Sequence, residues 1–302
     1  MVTMSTKANL IITIFLLSFH IRFGLSSIFT ISNNCPQTIW PATLSGAGTP
    51  QLPTTELGLN PGQTIQLTAP QGWSGRIWAR TECEFNDAGI GNCETGDCGG
   101  MLKCNGLGPL PPATLFEITL GKGDEDDFYD ISVVDGYNLP MAAAPTVVTT
   151  NNSCVATECI VDLNSGCPRE LQVEGNGKNG IGVVACKSAC EVFGLEKYCC
   201  NGNSANPTTC QPSFYSAFFK SACPKAYSYA FDDATSIFTC KASNYEITFC
   251  PTINGLRKSN GIPTNQSAQE QDNGDKHEQM ASGANALIFP SFFYLIFLTL
   301  SL

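Results

Sequence analysis

The sequence predicts a mainly β protein, an antiparallel sandwich or barrel cross-linked by disulfides. Three observations lead there. Short segments alternate apolar and polar residues at the two-residue period of a strand, separated by Gly- and Pro-rich turns. All 16 cysteines lie between Cys35 and Cys250, an even set that reads as a disulfide framework whose connectivity spacing alone leaves open. Helical candidates are limited to two short stretches, Ser188 to Tyr198 and Phe214 to Ala222.

Taken in order, Phe29 and Ile31 alternate with Thr30 and Ser32, and Thr38-Ile39-Trp40 follows an Asn-Asn-Cys-Pro turn. Thr64 to Thr68 alternates after Asn60-Pro61-Gly62. Arg76 to Arg80 alternates again, with Ile77 and Ala79 on one face and Arg76, Trp78 and Arg80 on the other. Leu115 to Leu120, Phe128 to Val134 and Tyr245 to Phe249 complete the strands. Two cysteine-rich insertions break the rhythm: residues 83–114, with little apolar content for a core, and residues 154–223; segments this loop-rich need covalent closure to hold a shape. Adjacent Cys199 and Cys200 staple the second insertion in two directions.

Both ends read as processing signals. Lys7, an apolar run from Leu10 to Phe19 and Gly24-Leu25-Ser26 form a signal peptide over residues 1–26. The chain closes on a charge-free apolar segment, 286–302, behind a polar stalk, 255–285. Small residues, a polar spacer and an apolar end are the pattern of a GPI-anchor signal, with attachment at Asn273 or Ser282. An ordinary tail anchor or a sorting tail is the alternative. Asn151 and Asn265 are glycosylation sequons; Asn206-Pro207-Thr208 is disqualified by its proline.

Residues 27–254 carry 11 Lys and Arg against 22 Asp and Glu. That excludes a nucleic-acid partner, whose phosphates demand a basic footprint, and leaves an uncharged or cationic one. His20 and His277 fall outside this region, so it holds no Ser-His-Asp or Cys-His arrangement. Without His a zinc site is disfavoured, and no cofactor or metal is expected. The densest acidic stretch is Gly123 to Pro140. Within it Asp124 to Asp127 read as a solvated loop, while Asp130, Ser132 and Val134 share a strand face. Tyr129, Tyr137 and Phe85 are candidate rings for stacking on sugar, against core packing as the commoner fate of any single aromatic.

Several motifs resemble thaumatin-like proteins, the plant pathogenesis-related, osmotin-like family. They are Asn33 to Trp40, Gly75 to Cys83, Thr95 to Gly100, Pro112 to Leu115, Asp127 to Asn138, Tyr198-Cys199-Cys200 and Tyr245 to Pro251. The resemblance spans residues 28–251, within a domain of residues 27–254. It implies a flattened β-sandwich with a disulfide-rich, partly helical lobe and a small disulfide-braced lobe. It implies the bridges Cys35–Cys250, Cys83–Cys93, Cys98–Cys104, Cys154–Cys240, Cys159–Cys223, Cys167–Cys186, Cys190–Cys199 and Cys200–Cys210.

The same resemblance implies a cleft lined by Arg76, Glu117, Asp130, Asp135 and Asp233. Carboxylates beside one arginine suit a polyhydroxylated sugar, because each ionised oxygen accepts from a hydroxyl. The expected function is a monomeric defence-type protein, secreted or held on the outer leaflet by a lipid anchor, whose cleft binds β-1,3-glucan or a cationic surface partner. A weak endo-β-1,3-glucanase, with Glu117 as acid and Asp135 as nucleophile or base, is the first alternative. A non-catalytic interaction module is the second. Phosphatidylinositol-specific phospholipase is expected to release the protein from intact cells into the medium; retention on the membrane, assayed by immunoblot, contradicts the GPI reading.

Overall fold

The computed structural model describes residues 26–53, 58–148, 154–175 and 182–252. Its strands are β1 (Ser26–Asn33), β2 (Ile39–Ser45), β3 (Thr64–Pro70), β4 (Ser74–Thr81), β5 (Glu84–Phe85), β6 (Gly91–Asn92) and β7 (Leu115–Thr119), then β8 (Asp127–Ser132), β9 (Met141–Val148), β10 (Thr157–Cys159), β11 (Gln172–Gly175), β12 (Gly182–Cys186), β13 (Phe238–Cys240) and β14 (Ala242–Phe249). Two five-stranded sheets, ordered β10-β9-β14-β1-β3 and β13-β8-β7-β4-β2, make the sandwich. The hairpins β5-β6 and β11-β12 sit in the two cysteine-rich insertions. The leader, the sequons Asn151 and Asn265, the stalk, the tail and both attachment residues lie outside the described residues, apart from Ser26.

The inner faces of the sheets supply the core. Phe29, Ile31, Ile77, Phe116, Tyr129, Ile131, Tyr245 and Ile247 are all buried there. Their rings interlock: Phe29 meets Trp73 at 5.5 Å and Tyr129 meets Tyr245 at 5.3 Å between centroids. Each such side chain contributes about 1.5–3 kcal/mol on leaving water, so the alternation read in β1, β4, β7, β8 and β14 carries the main energetic load.

Several expectations need correction. The sheets are antiparallel except at one seam, where β1 and β14 pair in parallel. β9 escaped the reading because Met-Ala-Ala-Ala offers no apolar–polar contrast: Met141, Ala142 and Ala143 are all buried. Its Pro145 is tolerated because β10 pairs only with residues 141–143, leaving the proline on a free edge. The Ser188 to Tyr198 helix is two helices, Ala189–Phe193 and Glu196–Cys199, broken by Gly194 at φ 59°. The left-handed cap that Gly194 provides costs a side-chain-bearing residue more. The Phe214–Ala222 helix forms as expected, opened by a capping box between Ser213 and Ser216.

Two charged residues are not where polarity put them. Asp127 is 6 % exposed and not part of a solvated loop. Its carboxylate accepts from the Tyr245 hydroxyl at 2.7 Å and from the Gly121 amide at 2.8 Å. Arg80 shares the outer face of β4 with Arg76, yet it is buried. Its guanidinium donates to the carbonyls of Met101 (2.9 Å) and Leu102 (3.0 Å) and lies over the Phe85 ring. Together with Trp78 Nε1 donating to the Gly96 carbonyl at 2.8 Å, it straps the small lobe across one end of the sheet.

All eight bridges pair as the resemblance implies. Cys35–Cys250, across 215 residues, locks the parallel β1–β14 seam. In the chain-entropy model a longer closed loop gives more stability. Replacing Cys35 and Cys250 together by serine is therefore expected to cost ~5 kcal/mol, against ~2 kcal/mol for Cys98 and Cys104. Denaturant unfolding of the two variants measures the difference.

Candidate functional site

The candidate site grows out of one row of the second sheet. Arg76 on β4 pairs with Glu117 on β7, and Glu117 pairs with Asp130 on β8. The adjacent row, Ile77, Phe116 and Ile131, is likewise in register and faces the core. Because successive side chains alternate faces, burying that apolar row forces the polar one onto the outer face. There Arg76 Nη2 stands 3.2 Å from Glu117 Oε1, and Arg76 Nη1 stands 3.8 Å from Asp135 Oδ2. The guanidinium thus links two carboxylates through different nitrogens.

Asp135 comes from the turn that leaves β8. The turn closes with the Gly136 amide donating to the Val133 carbonyl, and Gly136 takes φ 85°. A Cβ at Gly136 would stand 2.5 Å from Pro112 Cβ and 2.7 Å from the Cys186 carbonyl, so only glycine fits. The next residue, Tyr137, bridges to Cys186. That bridge seats the Asp135 turn against the start of the helical lobe, where Lys187 and Glu191 pair at 3.1 Å.

Asp233 arrives from far along the chain. Tyr227 runs beside the end of β8: its amide donates to the Ile131 carbonyl at 2.8 Å, and its own carbonyl accepts from Val133. From there the Tyr227 hydroxyl donates to Asp233 Oδ1 at 2.7 Å. Lys220 steadies the same loop, meeting Asp232 at 2.9 Å and the Ala226 carbonyl at 3.1 Å. The structure therefore brings together Arg76, Glu117, Asp130, Asp135 and Asp233. Residue patterns did not reveal Tyr227, Lys187 or Glu191. A tyrosine six residues before an acid has no period that would mark it.

Electrostatics separate the carboxyls. Burial pushes Glu117 above the usual carboxylate range, Arg76 opposes this, and Asp135 adds to it. Asp130 is pushed well above its ordinary value, first by burial and then by Glu117, with Arg76 opposing and Asp233 adding. Asp130 Oδ1 is also buried with no hydrogen-bond partner among the described residues. Burial and the hydrogen bond to Asp233 push Tyr227 up strongly, so it stays a donor. Buried carboxyls beside one fixed cation can divide into protonated and ionised members. Among the described residues no three His, Cys, Asp or Glu side chains group as a metal site.

Two of the three rings proposed for sugar stacking are excluded. Tyr129 and Tyr137 are fully buried, their hydroxyls donating to the carbonyls of Val155 and Val161. Phe85 is half-buried beneath Arg80.

A sandwich with two disulfide-closed lobes and an acid-lined row on its outer face defines a class of disulfide-braced β proteins that carry carboxyls around one arginine on a sheet face. The chain belongs to the Thaumatin family, whose model matches residues 33–251. A pathogenesis-related thaumatin-like protein 3.5 from Cryptomeria japonica is 51 % identical, covering 75 % of this chain and 91 % of the relative. Pathogenesis-related protein 5 from Arabidopsis thaliana is 52 % identical over the same shares. A laminaripentaose-producing β-1,3-glucanase, solved with laminaritetraose, shares the fold at 13 % identity and a TM-score of 0.50, covering 74 % of this chain and 98 % of the enzyme.

Asp130 yields a pH prediction. Its pKa is higher folded than unfolded, so the native state holds a proton that the unfolded chain releases. Stability from this group is full below the unfolded pKa and is lost as pH rises through the folded value. Asp130→Asn is expected to raise Tm at pH 7 by ~2–4 °C and to flatten its fall between acid and neutral pH. Calorimetric scans across that range check both.

Proposed function

We propose that the protein is a defence-type member of its family, acting outside the cell, whose acidic cleft binds carbohydrate of the β-1,3-glucan class. The observation that carries this reading is the row Arg76–Glu117–Asp130, extended by Asp135 and Asp233 on the same outer face. One cation and four carboxyls make a surface rich in acceptors, suited to sugar hydroxyls. The excess of acids over bases keeps polyanions away. A β-1,3-glucanase of the same fold, solved with laminaritetraose, makes laminarin-type glucan the first ligand to try. A signal peptide and a lipid anchor at the outer leaflet fit this placement, and the chain acts as a monomer.

A second reading, weak endo-β-1,3-glucanase activity, is favoured by the raised Glu117 carboxyl. A carboxyl raised above its ordinary value suits a general acid, leaving Asp135 beside Arg76 as nucleophile or base. One experiment addresses both readings. Laminarin binding is expected to weaken about tenfold or more in Asp135→Ala with Asp233→Ala, as each loses charge-assisted hydrogen bonds. Unchanged binding removes the cleft from the function. Reducing ends released by the parent protein and lost in Glu117→Gln establish catalysis; no release at any pH leaves a binding protein.

A further inference from the structure

We propose that the ring cluster on the helical lobe, formed by Phe193, Tyr198, Tyr215 and Phe214, is a second carbohydrate subsite that carries glucan units beyond the cleft. The proposal rests on the glucan reading of the cleft and deepens it. The rings are continuous: Phe193 meets Tyr198 at 5.5 Å and Tyr215 at 5.4 Å, and Tyr215 meets Phe214 at 5.6 Å. Phe214 is 78 % exposed and Phe193 37 %, with Leu195 beside them at 48 %. A phenyl ring as exposed as Phe214 adds little to the core. One such residue needs no explanation, but a contiguous group marks a surface that meets something.

The mounting is rigid. Cys190–Cys199 closes the loop that carries Phe193 and Tyr198, and the adjoining Cys200–Cys210 bridge ends just before Phe214. Phe214 and Tyr215 open the Phe214–Ala222 helix, fixed there by its capping box. Rings held this way lose little entropy when they capture a ligand.

The fringe is polar and points to sugar. The Tyr215 hydroxyl donates to Glu170 Oε1 at 2.8 Å, the Lys197 ammonium lies 4.7 Å from the centre of the Tyr198 ring, and Asn203 meets Glu196 at 3.1 Å. A pyranose presents an apolar C–H face to a ring and hydroxyls to such a rim. An anionic lipid surface is the wrong occupant, since Glu170, Glu196 and a formal chain charge of −10 repel it.

Position and shape narrow the ligand. Tyr198 also lines a small cavity with Val134, Ser188, Ser213 and Tyr229, and Val134 immediately precedes Asp135, which ties one ring of the cluster to the segment that carries Asp135. Neighbouring rings are tilted by 35° to 79°. A flat β-1,4-linked ribbon cannot lie on them together, whereas a β-1,3-linked chain coils and can turn with them.

Titration calorimetry of the full chain with laminarin, laminaritetraose and cellohexaose tests this. Phe193→Ser with Phe214→Ser is expected to weaken laminarin binding about tenfold while laminaritetraose, short enough for the cleft alone, binds within twofold of the parent. Phe214→Ser alone, at an exposed position, keeps the parent Tm and shows a smaller loss in the same direction. Laminarin affinity within twofold of the parent in the double variant, with Asp135→Ala and Asp233→Ala together still weakening binding about tenfold or more, overturns the subsite and leaves the cleft reading standing. The reverse pattern overturns the cleft reading and keeps the subsite. A parent protein that binds no laminarin overturns both, and cellohexaose bound as tightly as laminarin overturns the linkage preference.

Discussion

The pairing register of β4, β7 and β8 is the constraint on which the remaining structure depends. Ile77, Phe116 and Ile131 form one cross-strand row, and Arg76, Glu117 and Asp130 form the next. A slip of one residue in any of the three strands would bury a charge and expose an aliphatic or aromatic side chain. The hydrophobic core thus specifies the site, because whatever holds the apolar row inward holds the polar row outward. The interlocked rings around Phe29 and Tyr245 do that holding.

Concentrating acids on one row has an energetic cost, which the surroundings share. Arg76 offsets the repulsion between Glu117 and Asp135, and the Tyr227 hydroxyl satisfies Asp233. Asp130 is left the least compensated, with a buried oxygen lacking a partner among the described residues. Strain of this kind belongs at a working surface, since a purely structural residue there would be better as an amide.

The lobes follow a different logic. In the small lobe, short-range bridges and buried polar straps take over much of the work of a core, while the helical lobe adds its bridges to Leu163, Leu171 and Phe219, which join the main core. Arg80 shows how far this goes. Burial lowers its pKa to about 10, with Asp97 opposing, and the group persists because three carbonyls and a ring receive its protons and charge. The helical lobe is stapled in the same way: Phe219 is buried and Tyr215 and Phe218 pack partly against the core, while Phe193 and Phe214 are presented at the surface.

The sequence by itself determined the strand alternation, the faces of Ile77 and Ala79 against Arg76, Trp78 and Arg80, and an even cysteine set closed by disulfides. With the family motifs it also named the bridges and the five residues expected to line a cleft. Period-2 patterning is local, and a strand facing a core on one side has to write it into its residues. Only the tertiary structure decided which outward positions stay outward. Trp78 and Arg80 share a face with Arg76 but are covered by the small lobe, and Asp127 is buried by Tyr245 from β14. The β1–β14 parallel seam, the Tyr227–Asp233 contact and the exposed ring cluster were equally invisible, since each joins segments that no local period connects. Burial is a property of what arrives from elsewhere in the chain, and residue order records that only indirectly.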